Sequence, residues 1–260
     1  MTTAPLRRPL VAGLTGLAAL LAATGPLSSA HAAPSDTARP LAEICDTYGT
    51  EQVGRYVVQN NVWGASTAQC ITTTDNGFRI SVAEHHNPTD GAPAAYPSIF
   101  AGCHYGICTP DSGLPLQVSA LGGATSSVSM TRPDSGEWNA SYDLWFDPTP
   151  RTDGQNTGAE LMIWLDHRGA PQPIGSPVGT AQINGATWEV WVGNTGWNVI
   201  SYVHTGGTGS LNFQIKDFTD DAVARGQIDP SWYLTSVQAG FEPWVGGAGL
   251  AVDSFSFSAG

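Results

Sequence analysis

The chain has 260 residues, 41% hydrophobic and only 12% charged, with a formal net charge of −12. Such an acidic surface repels nucleic acid and anionic lipid and suits a neutral partner. The length fits one large all-β domain as easily as two small ones.

In chain order, residues 1–32 read as a secretion signal peptide. Arg7 and Arg8 give a positive start, and residues 10–23 are apolar but too short to span a bilayer comfortably. Ala30-His31-Ala32 is a small-x-small cleavage site. Arg7-Arg8 also suggests a twin-arginine signal, but the residues around the pair favour ordinary secretion. Cleavage leaves 228 residues with eight lysines and arginines against 22 acids, a net of −14. No second apolar run of membrane length follows, so a soluble, secreted, extracellular protein without a membrane partner is expected. Residues 33–42 form a short flexible lead-in. Residues 43–260 contain no linker or repeat and form a single domain.

Four cysteines follow: Cys45, Cys70, Cys103 and Cys108. An even count in an exported chain reads as disulfides. Three pairings are open. Cys103 with Cys108 would close a tight loop, and Cys45 with Cys70 would tie the first two strands together. The rival is a metal site built on His104 and the cysteines. That loop carries no matching ligand cluster, and oxidation is expected outside the cell, so no metal is expected.

Strand signals dominate the rest. Residues 55–63, 78–83, 116–120, 126–130, 139–146, 159–165, 187–192, 199–204 and 233–241 are rich in β-branched and aromatic side chains. Gly, Asn, Asp and Pro punctuate between them. Many short strands imply a sandwich or jelly roll. One helix is predicted over 217–225, with Phe218, Ala222 and Val223 on one face and Gly226 as its stop. It should pack on the outer face of a sheet.

Alternation along the strands then places chemistry. Side chains two apart share a face. Glu160, Met162 and Trp164 therefore point one way, and Leu161, Ile163 and Leu165 point into the core. Ser141, Asp143 and Trp145 share a non-core face, as do Asn61 with Trp63 and Gly240 with Glu242. A carboxylate in an apolar run is costly unless its site uses it. With Lys216 the only lysine, a structural ion pair explains neither glutamate well. Carboxylates at the centre of a curved sheet, with indoles along it, suit a sugar polymer, whose C–H faces stack on aromatic rings. Most of the nine tryptophans belong in the core; alternation leaves Trp63 and Trp145 balanced between core and solvent.

These segments resemble glycoside hydrolase family 12, small secreted endo-β-1,4-glucanases and xyloglucan hydrolases. The resemblance spans the mature chain. It is carried by Asn60-Asn61-Val62-Trp63-Gly64-Ala65-Ser66, Cys103-His104-Tyr105 with Cys108, and Ser141-Tyr142-Asp143-Leu144-Trp145-Phe146. It continues through Glu160-Leu161-Met162-Ile163-Trp164-Leu165, Pro173-Ile174-Gly175-Ser176 and Gly240-Phe241-Glu242-Pro243-Trp244.

The resemblance implies an all-β, concanavalin-like jelly-roll sandwich of two antiparallel sheets with one short helix and an open concave cleft. It makes Glu160 the nucleophile, Glu242 the general acid/base, and Asp143 an auxiliary carboxylate hydrogen-bonded to Glu160. Asn61, Trp63, Met162 and Trp164 would shape the sugar subsites, and the segment 173–176 would cross the cleft. The bacterial branch carries two disulfides, here Cys45–Cys70 and Cys103–Cys108. A retaining mechanism sets the two carboxyls ~5–5.5 Å apart and needs no metal or cofactor. The expected substrate is a β-1,4-glucan, and the expected state a monomer. A non-catalytic carbohydrate-binding module is the competing reading, and an inhibitor or cell-wall structural protein a third.

Overall fold

The computed structural model describes residues 41–260. The expected signal peptide and most of the lead-in lie outside the described residues. Two sheets stack into a sandwich. The smaller has six strands, in spatial order Glu43–Ile44, Gln69–Thr73, Phe78–Ala83, Ala251–Ser258, Thr125–Thr131 and Ser210–Gln214. The larger has eleven. Nine run in the order Ser176–Ile183, Ala186–Asn194, Asn198–His204, Ala159–Arg168, Glu137–Asp147, Tyr233–Val245, Ser98–His104, Tyr56–Gln59 and Thr50–Val53. Ile107–Cys108 and Leu116–Gln117 pair beside this path.

The core lies between the sheets because alternation sends one apolar set inward. Leu161, Ile163 and Leu165, with Tyr142, Leu144 and Phe146 on the neighbouring strand, all join one buried cluster. Rings from the two sheets interlock there: Tyr142 meets Phe213 edge-on at 5.1 Å, and Phe78 meets Phe241 at 6.2 Å. Each large apolar side chain so buried contributes about 1.5–3 kcal/mol. Among the described pairings all are antiparallel except one. The Glu160 strand, Ala159–Arg168, runs parallel to Asn198–His204, which requires a long connection between them.

The predicted strands exist, with two changes. The strand predicted over 55–63 ends at Gln59. The one predicted over 116–120 stops at Gln117, and a 3₁₀ helix, Val118–Gly123, replaces its end. Several strands gave too little signal to be read. Ser98–His104 is buried on both faces and does not alternate. Ser176–Ile183 is an edge strand, exposed along most of its length and carrying a proline and a glycine. Ala251–Ser258 does alternate and was open to the same reading.

The helix spans Ile215–Ala224, and Gly226 follows it with φ +71°. Only glycine adopts that left-handed angle without cost, so the helix stops there. Its position corrects the expectation of an outer face. Phe218 packs edge-on against Trp188 at 5.0 Å, Tyr202 at 5.2 Å and Phe213 at 5.5 Å, all members of the inter-sheet core. The helix therefore covers the core face of the larger sheet, beside the last strand of the smaller one.

Disulfides join Cys45 to Cys70 and Cys103 to Cys108. They consume all four thiols, which removes the metal reading at His104. No helix among the described residues is long and apolar enough to cross a membrane.

Candidate active site

The outer face of the larger sheet, away from the core, carries the acidic residues. Asn139, Ser141, Asp143 and Trp145 occupy that face of the strand Glu137–Asp147, because their neighbours Trp138, Ala140, Tyr142, Leu144 and Phe146 fill the core. Glu160 lies on the strand to one side, opposite Trp145, and Glu242 on the strand to the other, opposite Asn139. Six positions along a strand amount to roughly 20 Å at about 3.3 Å per residue. The two carboxyls nevertheless lie near enough for their charges to interact. Burial raises the pKa of Glu242, and the negative charge of Glu160 adds to that. Both glutamates, together with Asp143, also act on the buried hydroxyl of Tyr96.

Each carboxylate has its own donor. The indole Nε1 of Trp197 donates to Glu160 Oε2 at 2.9 Å, and the Trp145 indole donates to Asp143 Oδ2 at 2.7 Å. Asn139 Nδ2 donates to Glu242 Oε2, while its Oδ1 accepts from the Glu242 backbone N–H and from Ser141 Oγ. Those two donors to Oδ1 fix the amide, so its nitrogen must face the carboxylate. Oε1 of Glu160 and Oε1 of Glu242 have no hydrogen-bond partner among the described residues and are not enclosed. Each glutamate thus has one oxygen held and one available.

Asp143 differs. Its Oδ1 is enclosed and has no partner. The expected hydrogen bond from Asp143 to Glu160 is replaced by the two indole bonds, and the acids interact through their charges. Burial, then the Glu160 charge, push the Asp143 pKa well up, against the Trp145 donor. The proton of the neutral acid belongs on Oδ1, since Oδ2 already receives an N–H. Burial also raises Glu160, opposed by the Trp197 indole. Burial raises Glu242, with the Glu160 charge adding and Asn139 opposing. Burial thus raises both glutamates, and Glu242 carries the added push of the charge on Glu160. Among the described residues neither is in an ion pair.

The sugar-binding candidates divide. Asn61 and Trp63 lie beyond the strand end, not on a strand face. Asn61 takes a left-handed φ of +46° and donates weakly to the Tyr96 carbonyl at 3.4 Å, while the Tyr96 N–H returns a bond to the Asn61 carbonyl at 3.0 Å. Trp63 is 48% exposed and offers an open ring. Met162 and Trp164 do face outward, but they are buried in a second cluster with Val203 and Trp244. Trp145 is likewise buried, 5.5 Å from Trp197. Of Trp63, Trp145 and Trp164, only Trp63 presents an exposed ring. The segment 173–176 packs on the neighbouring strand: a Cβ on Gly175 would meet the Val192 carbonyl at 2.0 Å.

Three residues of the site were not read from the sequence. Asn139 lies at the start of a strand that was read, two positions before Ser141, so its face was legible. Trp197 lies in a turn and carries no periodic signal. Tyr96 sits in an irregular segment, held by a bond from its hydroxyl to the Ser141 carbonyl at 3.2 Å. That segment reaches the Glu242 strand only because Gly240 has no Cβ; one there would meet the Pro97 carbonyl at 2.1 Å.

The loop from the Asp143 strand to the Glu160 strand turns on Asp147. Its buried carboxylate accepts from the Thr149 and Thr157 backbone N–H groups, from both threonine hydroxyls, and from Arg151 Nε at 2.7 Å. Burial alone would raise its pKa, but these donors outweigh burial and hold it down at about 2.

Comparison with known proteins agrees with this arrangement. The model of glycosyl hydrolase family 12 matches residues 54–259. A probable cellulase, Cel12b of Mycobacterium tuberculosis, is 44% identical over 56% of this chain and 96% of its own length. The endo-1,4-β-glucanase CelB2 structure is 52% identical, covers 83% of this chain and 98% of its own, and superposes with a TM-score of 0.81. A family 12 xyloglucanase from Bacillus licheniformis, 29% identical, covers 85% and 99%, with a TM-score of 0.75. With the family model spanning nearly all the described residues, and the sandwich and carboxylates in place, the chain belongs to glycoside hydrolase family 12.

Proposed function

We propose that this protein is a retaining endo-β-1,4-glucanase that cleaves soluble β-glucans through a covalent glycosyl-enzyme intermediate. The observation that carries this reading is geometric: two glutamates share one sheet face, each with one carboxylate oxygen held by a neutral donor, and the charge on Glu160 adds to burial in favouring the proton on Glu242. One acid is then a nucleophile and the other a proton donor at the same pH. Glu160 Oε1 attacks the anomeric carbon while Glu242 protonates the departing oxygen. Once Glu160 is esterified its charge is gone. Glu242 becomes more acidic and takes a proton from the water that releases the sugar. Asp143, kept neutral by burial and by Glu160, adds no second charge beside the nucleophile. Trp63 stacks on a glucosyl ring, and Asn61 fixes the segment beneath it. The reaction needs no metal or cofactor. The relatives include one named a probable cellulase and one named a xyloglucanase. Initial rates on barley β-glucan and tamarind xyloglucan rank the two substrates.

Residues 1–32 serve as the export signal in this reading, residues 43–260 are the catalytic domain, and the secreted enzyme works as a monomer. A non-catalytic sugar-binding sheet would explain Trp63, but it has no use for three carboxylates gathered on one sheet face.

Proton NMR of the first product should show the β-anomer. Prompt appearance of the α-anomer excludes a covalent intermediate. A second measurement concerns Asn139, whose N–H favours the ionised form of Glu242. Asn139→Ala should raise the Glu242 pKa further and move the alkaline limb of kcat/KM to higher pH. An unmoved limb would mean that Asn139 does not govern Glu242.

A further inference from the structure

Among the described residues Trp197 is the one hydrogen-bond partner of the Glu160 carboxylate. We infer that Trp197 is a positioning residue for the nucleophile: its N–H holds Glu160 Oε2 through both chemical steps and leaves Oε1 as the only oxygen that attacks. This rests on the reading of Glu160 as nucleophile.

The geometry is built for the purpose. A terminal carboxylate torsion is broad and roughly two-fold, so an untethered glutamate exchanges its two oxygens. The 2.9 Å bond to Oε2 removes that freedom. The turn that carries the indole is pinned. It lies at the return between Ala186–Asn194 and Asn198–His204, where Gly196 N–H bonds Asn194 Oδ1 at 3.0 Å and Thr195 N–H bonds the Trp197 carbonyl at 3.1 Å. The next residue, Asn198, bonds the Gly158 carbonyl at 3.1 Å through its N–H and the Gln227 carbonyl at 2.9 Å through its amide. Gly158 precedes Glu160 by two positions, so the turn is pinned to the strand it serves. The Trp145 ring, 5.5 Å away, backs the indole.

The donor type also matters. An indole N–H only donates and carries no charge. It favours ionised Glu160 without neutralising it as a guanidinium would, and it cannot take the proton meant for Glu242. In the first step an Oε1 lone pair forms the bond to the anomeric carbon. The bond to the glycosidic oxygen breaks, its electron pair stays on that oxygen, and Glu242 supplies the proton. Oε2 becomes the ester carbonyl, still held. In the second step water attacks the same carbon and gives a proton to Glu242. The ester C–O bond breaks, and its electrons return to Glu160, where the N–H meets the re-forming carboxylate.

The test compares wild type, Trp197→Phe, and a chain carrying benzothienylalanine at 197, which keeps the bicyclic shape but replaces N–H with sulfur. Both variants should lose about 10- to 100-fold in kcat, the worth of one bond to a charged group, with KM for cello-oligosaccharides little changed. The acid limb of kcat/KM should move to higher pH, because the donor that favours ionised Glu160 is gone. A benzothienyl variant with wild-type kcat and an unmoved acid limb overturns the inference, since ring shape would then suffice. It carries the test alone if Trp197→Phe does not fold. Glu160→Gln, assayed alongside, separates the two readings. If it still turns over, the nucleophile assignment falls; if it is inert while both Trp197 variants behave as wild type, only the role of Trp197 falls.

Discussion

Glu160→Gln should abolish turnover on every glucan, with a loss of at least about 10⁴-fold as for other nucleophile deletions, while oligosaccharide binding persists. Glutamine keeps the shape and still accepts the Trp197 N–H through its amide oxygen. It lacks the charge and the nucleophilic lone pair. Calorimetric titration with a cello-oligosaccharide and reducing-sugar release from β-glucan are the two measurements. Residual turnover near wild type would transfer the nucleophile to another group. The same variant should also be more stable than wild type, in a pH-dependent way. Burial raises the Glu160 pKa in the folded protein, so the native state retains a proton that the unfolded chain gives up above about pH 4.3. Stability from this group is full below that value and declines as pH rises through the folded pKa. Thermal midpoints of the variant and wild type should therefore converge near pH 4 and separate toward pH 7. A constant gap across that range would contradict the burial argument.

Glu242→Ala should split substrates by leaving group. A glucan or oligosaccharide leaves as an alcohol and needs the proton, so its hydrolysis should fall about 10²- to 10⁴-fold. An aryl cellobioside with a good leaving group departs as the phenolate and should form the glycosyl-enzyme at a much less reduced rate. Its intermediate then waits, because the base for water is also missing. Added azide, which needs no base, should restore turnover and give a β-glycosyl azide. Equal losses on both substrates, or no rescue by azide, would place the acid/base elsewhere.

The part of this site that alternation controls was legible in the sequence. Glu160, Met162 and Trp164 opposite Leu161, Ile163 and Leu165, and Asp143 opposite Tyr142 and Leu144, all fall on the faces that period two assigns. What alternation does not control stayed hidden. Trp197 reaches Glu160 from a turn, and Tyr96 enters the site from an irregular segment whose approach depends on Gly240, 144 positions further along the chain. Outward-facing and exposed also proved to be different things. Met162 and Trp164 face away from the core yet are buried by Val203 and Trp244, because the outer face is thick enough to pack on itself. The error over residues 55–63 has a related cause. Val62 and Trp63 resume an apolar pattern after Gln59-Asn60-Asn61, but Asn61 leaves the β region with a positive φ, which a pattern of side chains does not report. The helix was found and its stop placed correctly, but which layer it joins depends on Trp188 and Tyr202, residues distant along the chain.

Tyr233–Val245 comes next to last among the strands in the chain, yet it lies near the middle of the larger sheet, between Glu137–Asp147 and Ser98–His104. A nascent chain cannot close that sheet until its final portion has been made, and topologies dominated by such distant pairings fold slowly. Hydrolytic competence is thus withheld until synthesis is nearly finished, and a chain cut short before Tyr233 loses the sheet's centre and Glu242 together instead of declining by degrees.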